Sequence, residues 1–148
     1  AAGFSIEKKN LLKFKKEMSA LAKKQLKGKE LKSTLNIDCP IPLEELNLNF
    51  FEELEKLKPF GMGNEKPSFV LKRVKPMMVK KIGKDHSHLK FEVEHSGLSF
   101  EVIAFRFGEH YMALRNANNI DLVMQLDKNV WNNRTKLNLQ ALDFKINA

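Results

Sequence analysis

Two segments in the second half of the chain concentrate cationic and amide side chains, and one of them carries the only tryptophan. The first contains the sequence IGKDHSH, and the second is centred on NVWNNRTK. Lysine and arginine bind phosphate groups with release of counterions, and an aromatic ring can stack on a nucleotide base. We therefore expect contacts with nucleic acid in these segments and their neighbours. The candidate contact residues are Arg73, Lys80, Lys81, Lys84, His88, Lys90, Trp131, Asn132, Arg134 and Lys136.

The net charge of +8 over 148 residues also favours a polyanionic partner. Two other interpretations stay open at this point. Basic composition of this grade occurs in proteins that merely remain soluble, and asparagine-rich loops are common in ordinary hairpins. The ring of Trp131 could equally close one end of a barrel.

The sequence predicts no catalytic residue and no metal site. His86 and His88 would share a face in an extended segment, but no Asp/Glu cluster supplies the further ligands that a magnesium or manganese site requires. A metal hydrolase using these two histidines is therefore the weakest hypothesis. The single cysteine, Cys39, is expected to be packed rather than reactive, and it suits a reducing compartment, so we expect a cytoplasmic protein. No apolar run approaches the roughly 20 residues of a membrane span.

A glycine-rich segment is a further candidate site. Phe60, Gly61, Gly63 and Asn64 lie in the sequence PFGMGN, where glycines permit successive backbone N–H groups to surround an anion. A tight turn between two structural units explains the same pattern.

The elements that must position these residues are strands, because apolar and polar residues alternate from Ser68 to the C-terminus. The first strand covers about residues 68–80, with Pro76 indicating a bend or an edge, and a short helix is expected at about residues 109–114. The predicted inward residues are Leu89, Phe91 and Val93 in the second strand, Leu98, Phe100 and Val102 in the third, Ile120, Leu122, Met124 and Leu126 in the fourth, and Leu137 and Leu139 in the fifth.

Two changes of register are expected where strands bend around a small barrel. The apolar positions shift to Ile103 and Phe105 in the third strand, and to Leu142, Phe144 and Ile146 in the fifth. Five strands with a short helix between the third and fourth are typical of an OB-fold. In that fold a ligand meets the second and third strands and the loops between strands one and two and strands four and five. Because Glu92, Glu94 and Glu101 would face outward on the second and third strands, we expect contacts in the loops rather than on the sheet.

The N-terminal part predicts a helix, a strand and a second helix. Apolar residues recur at helical spacing between Glu7 and Leu26 and leave a lysine-rich opposite face. A short strand alternates from Leu35 to Cys39, and Asn49 is the expected cap of a helix that carries Phe50, Leu54 and Leu57 on one side. The predicted fold class is thus α+β, with a five-stranded OB-type barrel preceded by a helix-strand-helix segment.

The sequence resembles the RecJ family of bacterial single-strand-specific DNA exonucleases. The resemblance rests mainly on LEKLKPFGMGN with Pro67, and it is supported by Gly83-Lys84, His88-Leu89-Lys90, Ile103-Ala104-Phe105 and Trp131-Asn132 in the same order. Ala1-Ala2-Gly3-Phe4 resembles the end of the DHH-associated domain of that family. The resemblance implies residues 1–39 as the tail of that domain, residues 40–66 as a connecting helix and loop, and residues 67–148 as an OB nucleic-acid-binding domain.

The chain does not begin with methionine, so we expect it to be a piece of something longer. The resemblance implies that the longer protein, the parent, is an enzyme. Members of the family join a DHH phosphoesterase core to an OB domain and cut single-stranded DNA from the 5′ end with manganese or magnesium, in DNA repair and recombination. Their metal-binding motifs lie upstream, and Asp85-His86-Ser87-His88 is not the Asp-His-His motif of the core. The leading hypothesis is an OB domain that binds single-stranded DNA beside the parent's own core without cleaving it. The alternative is a protein-docking OB module with no nucleic-acid contact.

Overall fold

The computed structural model describes residues 3–29, 34–131 and 134–147. The chain forms two compact units, residues 1–35 and residues 36–148. In the part of the chain that is described, no helix has the length and apolar character needed to cross a bilayer.

The N-terminal unit is built on one helix. After a 3-10 turn at Lys8–Asn10, helix α1 spans Leu11–Gln25. Gly28 follows with a φ of 79°, the left-handed conformation that is common just past a helix C-terminus. Phe4 packs edge-on against Phe14 of the helix, with 4.9 Å between the ring centroids. The helix predicted between Glu7 and Leu26 is confirmed.

The second unit is a closed barrel of five strands. A two-residue strand β1 (Cys39–Pro40) and helix α2 (Leu48–Glu55) precede it. The barrel strands are β2 (Phe69–Ile82), β3 (His88–His95), β4 (Leu98–Ala104), β5 (Ile120–Trp131) and β6 (Arg134–Ile146). Helix α3 (Tyr111–Arg115) lies between β4 and β5, where the short helix is predicted. The sheet order β1-β2-β3-β4-β6-β5 closes through pairing of β2 with β5, so the predicted OB-type barrel is confirmed.

Strand β2 closes the barrel by pairing with two neighbours in succession. Residues 69–74 pair with β5, and residues 75–82 pair with β3. The register is irregular at two places, where Arg73 and Met78 take positive φ values of 54° and 50°. The buried Pro76 lies between these irregularities, so the bend predicted from this proline is present.

Alternate residues of the strands fill the interior. Leu89, Phe91 and Val93 of β3 are at most 1% exposed, as are the four predicted inward residues of β5. The β3–β4 hairpin turns at Ser96 and Gly97, both with positive φ, which matches the right-handed twist of the strands. The inward residues of β3 and β5 are therefore confirmed by the burial pattern.

The register shift predicted in the third strand is wrong. Strands β3 and β4 pair without interruption from Leu89↔Ala104 to His95↔Leu98. Val102 and Ala104 are buried, whereas Phe105 is 52% exposed. The small side chain of Ala104 takes the inward position, so the larger apolar residues on either side of it gave a misleading pattern.

The register shift predicted in the fifth strand is present, but one of its three predicted inward residues, Ile146, is 41% exposed. In the β5–β6 ladder Val123 pairs with Asp143 and Met124 pairs with Ala141, which leaves Leu142 as the extra residue of a bulge. Before the bulge Leu139 and Ala141 are buried, and after it Phe144 packs against the core.

The segment before the barrel contributes to the same core. Ile41, Leu43, Leu46 and Phe51 are buried and belong to the cluster that fills the barrel. Helix α2 is capped by Asn47, whose side chain accepts a hydrogen bond from the N–H of Phe50 at 2.9 Å, and not by Asn49 as predicted. The rule that a cap precedes Glu by three residues selected the wrong asparagine, because Asn47 alone has the extended conformation of a cap.

The predicted strand from Leu35 to Cys39 is shorter than expected. Only Cys39 and Pro40 pair, in parallel, with Phe69 and Val70. Cys39 is exposed, so the expectation that it is packed is wrong. The buried Ser68 anchors this segment, since its hydroxyl donates to the carbonyl oxygen of Asn36 at 2.7 Å.

A carboxylate stabilises the first irregularity of β2. Asp121 Oδ1 accepts the backbone N–H of Arg73 at 2.9 Å and Asn147 Nδ2 at 2.7 Å. These two hydrogen bonds, the Arg73 bond foremost, hold the pKa of Asp121 below its ordinary value of 3.8. Ionised Asp121 thus ties the bulge of β2 to β5 and to the C-terminal end of the chain.

We expect the substitution Asp121→Asn to lower the free energy of unfolding at pH 7 by about 1 kcal/mol, because both hydrogen bonds lose a charged acceptor. The native pKa is depressed, so the stabilisation by this carboxylate is complete above its unfolded value of 3.8 and is lost as the pH falls through its lower folded value. Urea unfolding at pH 7 and at successively lower pH values below 3.8 should show the two proteins converging as Asp121 becomes protonated. Asp143→Asn is the control, since that exposed carboxylate accepts only the N–H of the next residue among its described contacts. Equal losses in both variants would contradict the assignment.

Candidate nucleic-acid interface

An open groove of about 740 Å³ lies between the β3–β4 hairpin and the β5–β6 hairpin. Strands β4 and β6 are parallel and pair at Val102↔Leu139 and Ile103↔Gln140. The groove is lined by the segments that precede these residues in both strands, together with residues of β3 and β5. Its lining residues are Lys90, Glu92, Ser99, Phe100, Glu101, Asn129, Lys136, Leu137 and Asn138.

The groove combines cations with paired acids. Lys90 Nζ lies 2.6 Å from Glu101 Oε2, and the other oxygen of Glu101 lies 3.5 Å from Asn138 Nδ2. Glu92, directly opposite Glu101 in the ladder, accepts the hydroxyl of Ser99 at 2.9 Å. The acids of this face therefore have hydrogen-bond or ion-pair partners within the protein. The sequence predicts contacts in the cationic loops and not on the acidic face of the sheet, but this one groove contains lysines and acids together.

The structure brings together some of the predicted contact residues. Lys90 and Lys136 line the groove, and Lys80 pairs directly opposite Lys90 in the β2–β3 ladder, so its exposed side chain lies on the same face. Lys84 is exposed in the loop between β2 and β3. Lys90 and Lys136 thus form the cationic part of the groove, and the contacts of Lys80 and Lys84 with nucleic acid stay predictions.

Two predicted residues lie elsewhere. The Lys81 ammonium is 5.6 Å from the centroid of the Tyr111 ring, on which the Arg115 guanidinium also lies at 5.9 Å. Arg73 is on the bulge beside Asp121, at the opposite end of β2 from Lys80. Their contact with nucleic acid stays a prediction, but they are not part of the groove.

The predicted residues of the β5–β6 loop fall at the limit of what is described. Asn132 lies outside the described residues, and of Trp131 and Arg134 only the backbone is described, as the last pair of the β5–β6 ladder. The stacking role expected for Trp131 stays a prediction.

The ring of His88 is used inside the protein. Its Nδ1 accepts the backbone N–H of Arg106 at 3.0 Å, and Phe105 packs edge-on against it at 5.4 Å between centroids. This hydrogen bond fixes the turn after β4, where Arg106 takes a positive φ of 67°. His88 positions the neighbouring backbone, and its predicted contact with nucleic acid stays a prediction.

The loop between β2 and β3 is held by its own side chains. Asp85 Oδ1 accepts the hydroxyl of Ser87 at 2.8 Å and its N–H at 3.2 Å, and these bonds keep the pKa of Asp85 below its ordinary value of 3.8. The carbonyl oxygen of Ser87 accepts the N–H of the buried Gly108 at 2.9 Å. The loop that carries Lys84 is thereby attached to the turn before α3.

The glycine-rich segment is a tight turn. Gly61 and Asn64 exchange backbone hydrogen bonds of 2.8 and 3.1 Å, and Asn64 Nδ2 donates to the carbonyl oxygens of Leu57 and Pro59, at 2.8 Å each. Two of the N–H groups required for anion binding are thus already bonded, and the ring of Phe60 is half-buried. The geometry matches the turn alternative, with Gly63 at a φ of 82°.

The described residues contain no group of three or more His, Cys, Asp or Glu side chains arranged to hold a metal ion. His86 and His88 lack further ligands, since the one carboxylate of their loop, Asp85, is bonded to Ser87. A Mn²⁺ or Mg²⁺ site does not fit the side chains in this part of the chain.

The family described as RecJ OB domain matches residues 37–143. The chain belongs to this family. It is 24% identical over 143 residues to the single-stranded-DNA-specific exonuclease RecJ of Bacillus subtilis, a match that covers 97% of this chain and 18% of the relative. The chain therefore spans about a fifth of that relative's length.

Solved structures of RecJ from Thermus thermophilus share the fold. The structure in complex with Mn²⁺ matches 99% of this chain and 20% of its own, with a TM-score of 0.75 and 24% identity. The structure in complex with Mg²⁺ gives a TM-score of 0.74 at the same identity, over 99% of this chain and 22% of its own. The RecJ OB domain thus has the fold of the corresponding part of these proteins.

Sequence reasoning missed Ser99 and Asn138 as groove residues. Both alternate with inward or half-buried neighbours, Phe100 and Leu139, so their outward direction was readable from the pattern. What the pattern does not give is the parallel pairing of β4 with β6, which places both side chains in one groove.

We expect Gly108→Ala to displace the loop between β2 and β3, because a Cβ at this position would meet the carbonyl oxygen of His86 and the Cα of Ser87. Overpacking of this kind costs roughly 1–3 kcal/mol of stability, although alanine is the better helix former. Urea unfolding should show the loss, and backbone amide NMR shifts should change at residues 83–88.

The matched control is Gly61→Ala, since a Cβ there meets nothing within 4 Å. If Gly108→Ala leaves stability and the loop resonances as unchanged as the control does, Gly108 does not position the loop.

Proposed function

We propose that this RecJ OB domain binds single-stranded DNA in the groove between the β3–β4 and β5–β6 hairpins. The observation that carries the proposal is the groove itself, which is about 740 Å³ in volume, is open to solvent and contains Lys90 and Lys136. The Bacillus subtilis relative is named as specific for single-stranded DNA, which supports this class of ligand.

The chemistry of the lining suits one strand. Lysines contact phosphates, while Phe100 and Leu137 offer apolar surface to the bases. Asn129 lies directly opposite Lys136 in the β5–β6 ladder, so an amide that can donate and accept hydrogen bonds is adjacent to a phosphate-binding cation. None of these groups reads a defined base edge by itself, so binding without strong sequence preference is expected. Lys80 and Lys84 extend the cationic surface along β2 and its loop.

We further propose that the domain serves a larger exonuclease. The parent is a RecJ-like 5′–3′ single-strand-specific DNA exonuclease with a DHH core, acting in DNA repair and recombination in the cytoplasm. Residues 1–39 are the tail of its DHH-associated domain, and the core is the partner of this domain. The Thermus thermophilus structures are complexes with Mn²⁺ and Mg²⁺, which supports metal use by such a core. The OB domain holds the strand, and the chemistry belongs to the core.

We expect Lys136→Ala to weaken binding of a fluorescein-labelled oligothymidylate by about fivefold, since an exposed ion pair contributes at most about 1 kcal/mol. The slope of log K against log[salt] should become shallower by about 0.7, the value for one phosphate contact on a single strand. Fluorescence anisotropy titrations at 50, 100 and 200 mM NaCl measure both quantities.

Lys145→Ala is the matched control, because it removes the same charge from the same strand at a distance of roughly 30 Å along β6. The affinity of this variant for the oligothymidylate should stay within twofold of that of the unsubstituted chain. Absence of binding at the lowest salt, or an affinity that does not fall as salt rises, would contradict the DNA proposal and favour a protein-docking module.

A further inference from the structure

We propose that the Glu101 carboxylate competes with DNA phosphates for Lys90. It is ion-paired with Lys90 in the free protein, and this ion pair must break when a phosphate binds the lysine. The inference rests on the proposed function of the groove. In this inference Glu101 lowers the affinity of the groove for DNA and the salt dependence of binding, so that a bound strand is released readily.

Glu101 is held from both walls of the groove. Its Oε2 lies 2.6 Å from Lys90 Nζ on β3, and its Oε1 lies 3.5 Å from Asn138 Nδ2 on β6. The Lys90 and Glu101 side chains are 44% and 33% exposed, so solvent and a ligand can both reach the pair. The Glu101 carboxylate therefore already lies at the position beside Lys90 that a bound phosphate would take.

Fold stability does not account for this pair. Glu101 stands directly opposite Glu92 in the β3–β4 ladder, and like charges at opposed positions destabilise a sheet. An ion pair of this exposure offsets such a cost only weakly. We therefore assign to the two opposed acids, Glu92 and Glu101, an effect on an anionic ligand of the groove and not a role in fold stability.

The salt dependence of binding separates this mechanism from general repulsion. Each phosphate neutralised by a free lysine releases counterions, but a phosphate that displaces Glu101 from Lys90 leaves a carboxylate that attracts a cation from solution. Lys90 then contributes little to the salt slope of the natural sequence. When the carboxylate is removed, Lys90 becomes a full phosphate contact.

The test compares Glu101→Gln with Glu92→Gln in the 148-residue chain. Both substitutions remove one negative charge from the same groove, but the described contact of Glu92 is with the Ser99 hydroxyl at 2.9 Å rather than with a lysine. The probe is a fluorescein-labelled oligothymidylate, titrated at 50, 100 and 200 mM NaCl. Glu101→Gln should bind about tenfold more tightly, with a salt slope steeper by about 0.7, whereas Glu92→Gln should gain about threefold with an unchanged slope.

A double variant tests the role of the lysine. Lys90→Ala should remove most of the gain when it is combined with Glu101→Gln, because the gain depends on the freed lysine. Glu101→Thr, which suits a β-strand, serves as a second neutral variant if the glutamine variant unfolds.

The outcomes are distinct. If Glu101→Gln and Glu92→Gln give the same affinity and slope, the acids act only as distributed charge and the inference is overturned. It is also overturned if Glu101→Gln binds more weakly, because Glu101 would then be a direct ligand contact. Failure of the natural sequence to bind at any salt concentration removes the proposed function along with the inference, whereas binding that Glu101→Gln leaves unchanged removes the inference alone.

Discussion

The pairing of β2 with two strands in succession is the constraint on which the rest of the second unit depends. The first half of β2 is hydrogen-bonded to β5 and the second half to β3, so the sheet closes around the buried side chains of the core. A regular strand cannot change neighbours in this way, because its hydrogen-bonding groups keep their direction. The bulges at Arg73 and Met78 provide the change of direction. The backbone N–H of Arg73 in the first bulge donates to the Asp121 carboxylate. Closure then brings β4 and β6 into parallel contact, and the groove lies beside that contact.

Sequence reasoning predicted the elements where a period of two was supported by large side chains. Leu89, Phe91 and Val93 alternate without exception, and they are the deepest residues of β3. It failed where a small residue holds an inward position. Ala104 is buried but carries a weaker hydropathic signal than Ile103 and Phe105, so the predicted pattern shifts wrongly to these larger neighbours. The cap of α2 failed for a different reason, because two asparagines lie two residues apart and only the backbone conformation distinguishes them.

The candidate site was predictable in part. Lys90 and Lys136 followed from charge near the two loops that OB-folds use, and the structure places both in one groove. Lys81 is predicted with them as part of the strand that leads into the first loop. Adjacent residues of a strand point to opposite sides, so Lys81 lies against Tyr111 of α3 instead. The partners of the acids could not be predicted, since Glu101 with Asn138 depends on contact between β4 and β6, which are 37 residues apart at this position.

The groove does not share the character of the whole chain. A net charge of +8 suggests a strongly cationic surface, but the groove has opposed acids in its wall, and one of its lysines is already paired. Net charge acts at long range and brings a polyanion to the protein, whereas contact affinity depends on which cations are free when the strand arrives. A groove of mixed charge on a basic protein therefore separates the two steps. Under the function proposed above, attraction of the strand is general and fast, and the bound strand is held weakly enough to move. This combination suits a domain that guides a strand more than one that stores it.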